Sequence, residues 1–117
     1  MSRFLAFVLA ATTAVSVWAA TDLTVRDIPY SVKTDAYSTD RLKVDVCYPD
    51  SAKDATVIVW FHGGGLEGGA KELPSALKGQ GHVIVGVNYR LLPKVRVTDI
   101  IDDAAEAVAW AVKNASQ

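Results

Sequence analysis

The stretch VIVWFHGGGLEGGAK, from Val57 to Lys71, places a histidine and five glycines directly after five apolar residues. Glycine loses more conformational freedom on folding than any other residue, so a cluster of this density carries a cost that something must offset. Bare backbone offers N–H groups that can approach a ligand closely, in turns that other residues cannot adopt. The pattern therefore predicts a loop whose chemistry resides in its main-chain donors.

A phosphate-binding P-loop is one interpretation of these glycines, and the sequence argues against it. That motif needs two glycines five positions apart, followed at once by Lys and by a Ser or Thr that binds Mg²⁺. Gly64 and Gly69 have the spacing, but Ala70 precedes Lys71 and Glu72 stands where the hydroxyl is required. We therefore reject this interpretation.

A dinucleotide-binding loop is the second interpretation. Gly63, Gly65 and Gly68 satisfy G-x-G-x-x-G after an apolar run. The mechanism also needs an acidic residue about 20 positions on, to bind the ribose. Asn88 and Tyr89 occupy that region instead, so the match is weak and we predict no cofactor.

An oxyanion hole is the third interpretation, and the one we favour. When a nucleophile attacks an ester carbonyl, the carbonyl oxygen becomes an anion that preorganised backbone N–H groups can stabilise. Glycines let the loop turn sharply and keep side chains away from the ester. The sequence His-Gly-Gly-Gly after a buried strand is the form that this loop takes in lipases and esterases.

Two kinds of strand must position this loop. Leu23–Tyr30 is a short apolar-polar stretch, Ser31–Asp40 is polar and turn-like, and Leu42–Tyr48 alternates apolar and polar residues as a half-buried strand does. The short connection predicts that these two strands are antiparallel. Val57–Phe61 and Val83–Val87 are continuous apolar runs, typical of strands buried on both faces of a parallel sheet.

Helical patterns follow both apolar runs. Leu73–Lys78 is a short helical candidate, ended by Gly79 and Gly81. A longer helix is predicted where apolar residues recur at helical spacing from Ile101 to Val112, with Asp99 as a plausible N-cap. Strand, helix, strand, helix predicts a βαβ unit with a right-handed crossover, hence an α/β fold.

Four segments together resemble the N-terminal part of an α/β-hydrolase of the esterase and lipase superfamily, in the branch of hormone-sensitive lipase-like and small carboxylesterase-like enzymes. They are LKVDVCYP (42–49), VWFHGGG (59–65), NYRL with Pro93 (88–93), and the D-A-x-x-A-x-x-W pattern of 103–110. The resemblance covers most of residues 42–114 and implies an incomplete α/β-hydrolase fold, with N-terminal antiparallel strands before a βαβ unit of a mostly parallel sheet.

The resemblance also implies roles for individual residues. Gly64 and Gly65 would donate backbone N–H groups to the oxyanion, Gly63 would support the turn, and His62 would orient the loop without acting as the catalytic base. Glu67 is interpreted as a solvated loop charge. We also hypothesise a structural ion pair between Arg90 and Asp103, on the basis of their places in the matching segments.

The catalytic triad of such enzymes has no counterpart in these 117 residues. No G-x-S-x-G is present, and His82 precedes any possible nucleophile, whereas the triad runs Ser, acid, His in chain order. We therefore expect residues 21–117 to be the N-terminal portion of a serine esterase that acts on small-molecule esters without metal or cofactor. The alternative is a non-catalytic α/β-hydrolase-like binding protein or an inactive truncated remnant.

The first twenty residues resemble an export signal. Arg3 precedes the uncharged, largely apolar stretch 4–17, which is short for a membrane span, and Ala19 and Ala20 provide small residues for cleavage. We predict a signal peptide over residues 1–20 and a secreted or periplasmic protein. The net charge of −1 and the absence of a basic patch argue against nucleic acid as a partner, and Cys47 has no second cysteine with which to pair.

Overall fold

The computed structural model describes residues 22–51 and 53–115. The predicted signal peptide and its cleavage site lie outside the described residues. The elements in chain order are β1 (Asp22–Pro29), α1 (Ala36–Arg41), β2 (Lys43–Pro49), β3 (Val57–Phe61), a one-turn 3₁₀ helix (Ser75–Leu77), β4 (Val83–Val87) and α2 (Val97–Asn114).

The four strands form one mixed sheet in the order β1-β2-β4-β3. The predicted antiparallel pairing of β1 with β2 is confirmed, and β2 also pairs antiparallel with β4. β3 and β4 pair in parallel from Val57 opposite Val83 to Phe61 opposite Val87. The α/β class predicted from the sequence is therefore confirmed, and β3 lies at one edge of the sheet.

The long helix α2 covers one face of the sheet. Its buried Ala107 and Ala111 belong to the same core cluster as Val44, Val85 and Val87, and the inward side chains of β3 pack against that cluster. Small residues at these helix positions allow the helix axis to lie close to the branched side chains of the strands. The predicted amphipathic helix is thus confirmed. Its start differs from the prediction.

α2 begins two residues before the predicted N-cap. Arg96 is the N-cap residue, and Asp99 lies in the first turn, where its carboxylate accepts a hydrogen bond from the Arg96 backbone N–H at 2.9 Å. Asp99 therefore stabilises the helix N-terminus from inside the helix. The reason is physical: a carboxylate at the third helical position can reach back to the same free donors.

The crossover from β3 to β4 lies on the other face of the sheet. The predicted helix over Leu73–Lys78 is reduced to the single 3₁₀ turn Ser75–Leu77. At Gly86 in β4 the crossover backbone comes so close that a Cβ atom would overlap the carbonyl of Glu72. Because the main chain at Glu72 must lie directly on the sheet, few residues remain for a helix before Gly79.

Two further expectations are wrong. Residues 31–40 do not form only a polar turn, because they contain most of α1, whose N-cap is Asp35. β3 is not buried on both faces, since all five of its residues are only half-buried. The cause is its edge position, because no described strand pairs with its outer side.

No helix in the described part of the chain is long and apolar enough to cross a membrane.

Candidate functional site

The glycine loop lies where β3 ends, beside the segment that follows β4. Residues 62–71 leave the carboxyl end of β3, and residues 88–92 leave the carboxyl end of the neighbouring parallel strand. In open α/β sheets, ligands bind at this end of the strands. The topology therefore brings together two segments that are well separated in the sequence.

The loop turns sharply through backbone conformations that glycine favours. Gly64 has φ of 132° and Gly65 has φ of 66°, and Leu66 continues in the left-handed region at 65°. The Gly64 carbonyl accepts hydrogen bonds from the N–H groups of Glu67 at 3.1 Å and Gly68 at 3.2 Å. A Cβ atom at Gly64 would overlap the Gly68 carbonyl. Glycine is therefore required at this position by space as well as by φ.

His62 is buried at the start of the loop. Its Nδ1 lies 2.7 Å from the carbonyl oxygen of Gly63, and because a carbonyl oxygen only accepts, Nδ1 carries the proton. The Nε2 atom is buried without a hydrogen-bond partner among the described residues. The backbone of Gly69 lies so near the ring that a Cβ added there would overlap Nδ1.

Tyr89 holds His62 in two ways. The two rings are stacked with their centroids 4.4 Å apart and their planes 9° apart, and the Tyr89 hydroxyl donates to the His62 carbonyl at 2.6 Å. Burial raises the pKa of Tyr89, so the hydroxyl keeps its proton and remains a donor. The end of β3 is thereby fixed to the segment after β4.

The same segment holds the rest of the loop. Asn88 Oδ1 accepts the backbone N–H of Lys71 at 2.6 Å, and the Leu92 N–H donates to the Leu66 carbonyl at 2.8 Å. Asn88 is itself tied to the core, because its carbonyl accepts the hydroxyl of Tyr30 at 2.6 Å. The glycine loop is thus anchored at its start, middle and end.

A charge cluster also fixes the end of the loop. The Nζ atom of Lys71 lies 2.8 Å from Asp27 and 3.2 Å from the buried Asp45, which also pairs with Arg26 at 3.0 Å. The hydrogen bond and charge of Lys71 lower the pKa of Asp27. Partial burial opposes ionisation of Lys71, but hydrogen bonds to the two carboxylates outweigh it, so the pKa of Lys71 is raised.

The hypothesised ion pair between Arg90 and Asp103 is confirmed. Arg90 donates from Nη2 to Asp103 Oδ1 at 2.7 Å and from Nε to Oδ2 at 3.0 Å, and its backbone N–H also donates to Oδ2. The Asp103 side chain is fully buried. Hydrogen bonding to Asp103 raises the pKa of Arg90. The pair joins the segment after β4 to α2.

Sequence reasoning missed the helix that supports the site from the other side. The Tyr37 hydroxyl of α1 accepts the Leu91 N–H at 3.0 Å. Arg41, the last residue of α1, donates from Nε to the Tyr89 carbonyl at 3.0 Å and from Nη2 to the Gly69 carbonyl at 3.2 Å. The only sequence signal was Asp35 three residues before Ser38, which forms the N-cap hydrogen bond at 3.0 Å.

The predicted site residues therefore lie together. His62, Gly63, Gly64 and Gly65 form one continuous turn, in which the three glycines are exposed. Glu67 is also exposed on this loop. Ala70 and Glu72 rule out a P-loop at Lys71. Lys71 instead fixes the end of the glycine loop through its ion pairs with Asp27 and Asp45.

A cleft of about 520 Å³ lies at the opposite end of the parallel strands. Val57 and Val83, the first residues of β3 and β4, line it together with Trp110 and Asn114 of α2. Because the glycine loop follows the last residues of those strands, this cleft is separate from the candidate site.

The chain is similar in sequence to known proteins. The model of the BD-FAE family matches residues 44–117. The neuroligin-like protein glit-1 of Caenorhabditis elegans is 42% identical over 71 residues, which is 56% of this chain and 9% of that protein.

Solved structures of two esterases are similar in fold. An inhibited esterase B from Lactobacillus rhamnosis superposes with a TM-score of 0.68 at 22% identity, over 94% of this chain and 40% of that one. A bacterial heroin esterase gives 0.53 at 19% identity, over 92% of this chain and 36% of that one. The chain therefore spans about two fifths of the esterase structures that it resembles.

Proposed function

The chain belongs to the BD-FAE family of esterase-like α/β-hydrolases, and we propose that the complete protein hydrolyses carboxylic esters with the N–H groups of Gly64 and Gly65 as its oxyanion hole. The observation that carries the proposal is the orientation of two successive peptide groups in the glycine loop. In a trans peptide, the C=O and the N–H point in opposite directions. A carbonyl held on one side therefore directs the N–H of the same peptide to the other side.

The first peptide joins Gly63 to Gly64. The His62 imidazole donates to the Gly63 carbonyl at 2.7 Å, so the Gly64 N–H points away from the buried ring. This contact supports the proposal that His62 orients the loop, a role that the family resemblance implies. The Gly63 side of the loop is open, because a Cβ atom added to Gly63 would meet nothing within 4 Å.

The second peptide joins Gly64 to Gly65. The Gly64 carbonyl accepts the N–H groups of Glu67 and Gly68, so the Gly65 N–H points away from that turn. Among the backbone hydrogen bonds in the loops and turns of the described residues, none has the N–H of Gly64 or Gly65 as its donor. Two such donors, fixed before substrate arrives, each contribute roughly 3–4 kcal/mol to lowering the barrier of acyl transfer.

The proposed chemistry is the two-step serine mechanism. A serine hydroxyl attacks the ester carbonyl carbon, a histidine takes its proton, and the oxyanion rests against Gly64 and Gly65. The alcohol leaves with that proton, and water then releases the acid by the same steps. The serine, the acid and the histidine are proposed to come from parts of the complete protein other than this chain.

Ester hydrolysis by the complete gene product tests the proposal. We expect turnover of p-nitrophenyl acetate or butyrate, and a fall in kcat on the order of 100-fold for Gly65→Val. Gly68→Ala is the matched control, because its Cβ would meet nothing within 4 Å and its φ is not positive. Full turnover by Gly65→Val would refute the role of the Gly65 N–H in the oxyanion hole. No turnover by the wild type would instead favour a non-catalytic α/β-hydrolase-like binding protein.

We also propose that residues 1–20 direct the protein out of the cytosol and are removed. The support is the order of Arg3, the apolar stretch and the terminal alanines in the sequence. N-terminal sequencing of the mature protein should begin at Ala20 or Thr21. A mature protein that still begins at Met1 or Ser2 would contradict this.

A further inference from the structure

Arg41 connects the two segments that build the candidate site. Its planar guanidinium donates from Nε to the Tyr89 carbonyl at 3.0 Å and from Nη2 to the Gly69 carbonyl at 3.2 Å. Tyr89 follows β4 and Gly69 ends the glycine turn that follows β3. Within the described residues, no other side chain donates to carbonyls of both segments.

Both acceptors of Arg41 lie against His62. The Tyr89 ring is stacked on the imidazole, and the Gly69 backbone lies so near the same imidazole that an added Cβ would overlap Nδ1 and Cε1. Tyr89 and Gly69 are therefore both close neighbours of the imidazole. Arg41 fixes the relative position of these two residues through their carbonyls.

The orientation of His62 in turn sets the first oxyanion donor. Its Nδ1 proton holds the Gly63 carbonyl, which directs the Gly64 N–H to the opposite side. A shift of Gly69 would remove one of the neighbours that fix the orientation of the imidazole, and so would loosen the peptide group that it holds. Misplacement of a reacting group by about 1 Å can cost on the order of 100-fold in rate.

We propose that Arg41 is a positioning residue for ester hydrolysis, one that keeps the Gly64 N–H aimed at the oxyanion by fixing Gly69 and Tyr89 around His62. This inference rests on the proposed function. Arginine suits the role because its rigid fork presents two donors in fixed directions, whereas lysine presents a single point charge. As the last residue of α1, Arg41 lies at the edge of the glycine loop.

The test compares Arg41→Ala and Arg41→Lys with the wild type in the complete protein, using p-nitrophenyl butyrate. For Arg41→Ala we expect kcat to fall on the order of 10-fold or more while KM changes less than about twofold, because the donor is used in the transition state. The kcat of Arg41→Lys should lie between the values of Arg41→Ala and the wild type. Guanidinium ion added at millimolar concentration should restore part of the kcat of Arg41→Ala. Arg96→Ala removes an exposed arginine whose one salt bridge among the described residues is to Asp99 on α2, and it should leave kcat unchanged.

A purely structural role gives a different result. In that case Arg41→Ala lowers the melting temperature but keeps kcat within about twofold well below that temperature, and guanidinium changes nothing; this result overturns the proposal. If Arg41→Ala does not fold, the kcat of Arg41→Lys decides: a value equal to that of the wild type overturns the proposal, and a lower kcat at unchanged KM supports it.

Hydrogen exchange separates this proposal from the proposed function. In the complete protein, Arg41→Ala should increase the deuterium uptake of residues 62–71 and leave that of β4 unchanged. If the wild type hydrolyses no ester, the proposed function fails, and unchanged uptake at residues 62–71 then also refutes the positioning contact. If the wild type is active and both kcat and uptake are unchanged in the variant, only the role of Arg41 fails.

Discussion

The hydroxyl of Tyr89 donates to the main-chain carbonyl of His62 at 2.6 Å while the two aromatic rings stack 4.4 Å apart. One side chain thereby fixes both the backbone and the imidazole of the residue that begins the glycine loop. The contact crosses between the ends of two parallel strands. It links the segment after β4 directly to the residue that supports the proposed oxyanion donors.

Tyr89→Phe should separate these two contacts. The variant keeps a stacking ring but leaves the buried carbonyl of His62 without a donor, which costs about 1–3 kcal/mol of unfolding free energy. Urea denaturation measures this cost. Tyr48→Phe is the control at a half-buried tyrosine that lines the distant cleft, and equal costs for the two variants would show that the bond to His62 contributes nothing particular.

The buried pair of Arg90 and Asp103 should behave as a unit. Arg90→Met leaves a fully buried carboxylate without its partner, and such a change costs about 3–5 kcal/mol. Asp103→Leu should cost a similar amount, because it leaves the guanidinium unpaired. The double variant should be no less stable than either single variant, and a double-mutant cycle with additive costs would count against the pair.

Gly86→Ala should destabilise the protein although its φ is ordinary. The added methyl group would meet the Glu72 carbonyl below contact distance, and overpacking of this kind costs about 1–3 kcal/mol. Gly63→Ala is the control, since its methyl group would meet nothing within 4 Å. Equal unfolding free energies for the two variants would show that the backbone of the crossover at Glu72 does not lie in contact with Gly86 of β4.

The charge cluster at Lys71 predicts a pH dependence with a definite sign. The pKa of Asp27 is lowered in the folded protein by Lys71, so its contribution to stability is present above about pH 4 and is lost as the pH falls through the folded pKa. The pKa of Lys71 is raised, so its contribution is present below about pH 10 and is lost as the pH rises through the folded pKa.

Urea midpoints measured from about pH 2.5 to about pH 7 check the acid side of this prediction. The difference between wild type and Asp27→Asn should be largest near neutral pH and should shrink as the pH falls below about 4, towards the lowered pKa of Asp27. Asp50→Asn, at an exposed aspartate without a salt bridge among the described residues, is the control. A difference for Asp27→Asn that stays constant over the whole range would contradict the prediction.

Local patterns were enough to predict the sheet and the position of the loop. The alternation in residues 42–48 and the two continuous apolar runs predicted three strands correctly, because the pattern of apolar residues in a strand depends only on neighbouring residues in the sequence. The position of the loop could also be predicted from its glycines, since the φ of 132° and the lack of space for a Cβ at Gly64 require glycine there. The proposed roles of these glycines remain a prediction.

Other features depend on contacts between distant residues, and sequence reasoning could not supply them. A six-residue helix such as α1 is not stable by itself; it forms where Tyr37 and Arg41 can bond to the backbone after β4. The crossover helix is reduced to one turn because the chain lies directly on Gly86. β3 is half-buried because it lies at the edge of the described sheet, which the residues of β3 alone do not reveal.

The sequence by itself determined the strands, the long helix and the position of the glycine loop, because apolar periodicity and glycine placement are local properties. Only the tertiary structure decided what holds that loop. Tyr89, Arg41 and Lys71 are 27, 28 and 26 residues from their partners His62, Gly69 and Asp45, and each pairing follows from strand order and register. A hydrogen bond acts over about 3 Å, so its partners are set by how the sheet folds and not by any spacing along the chain.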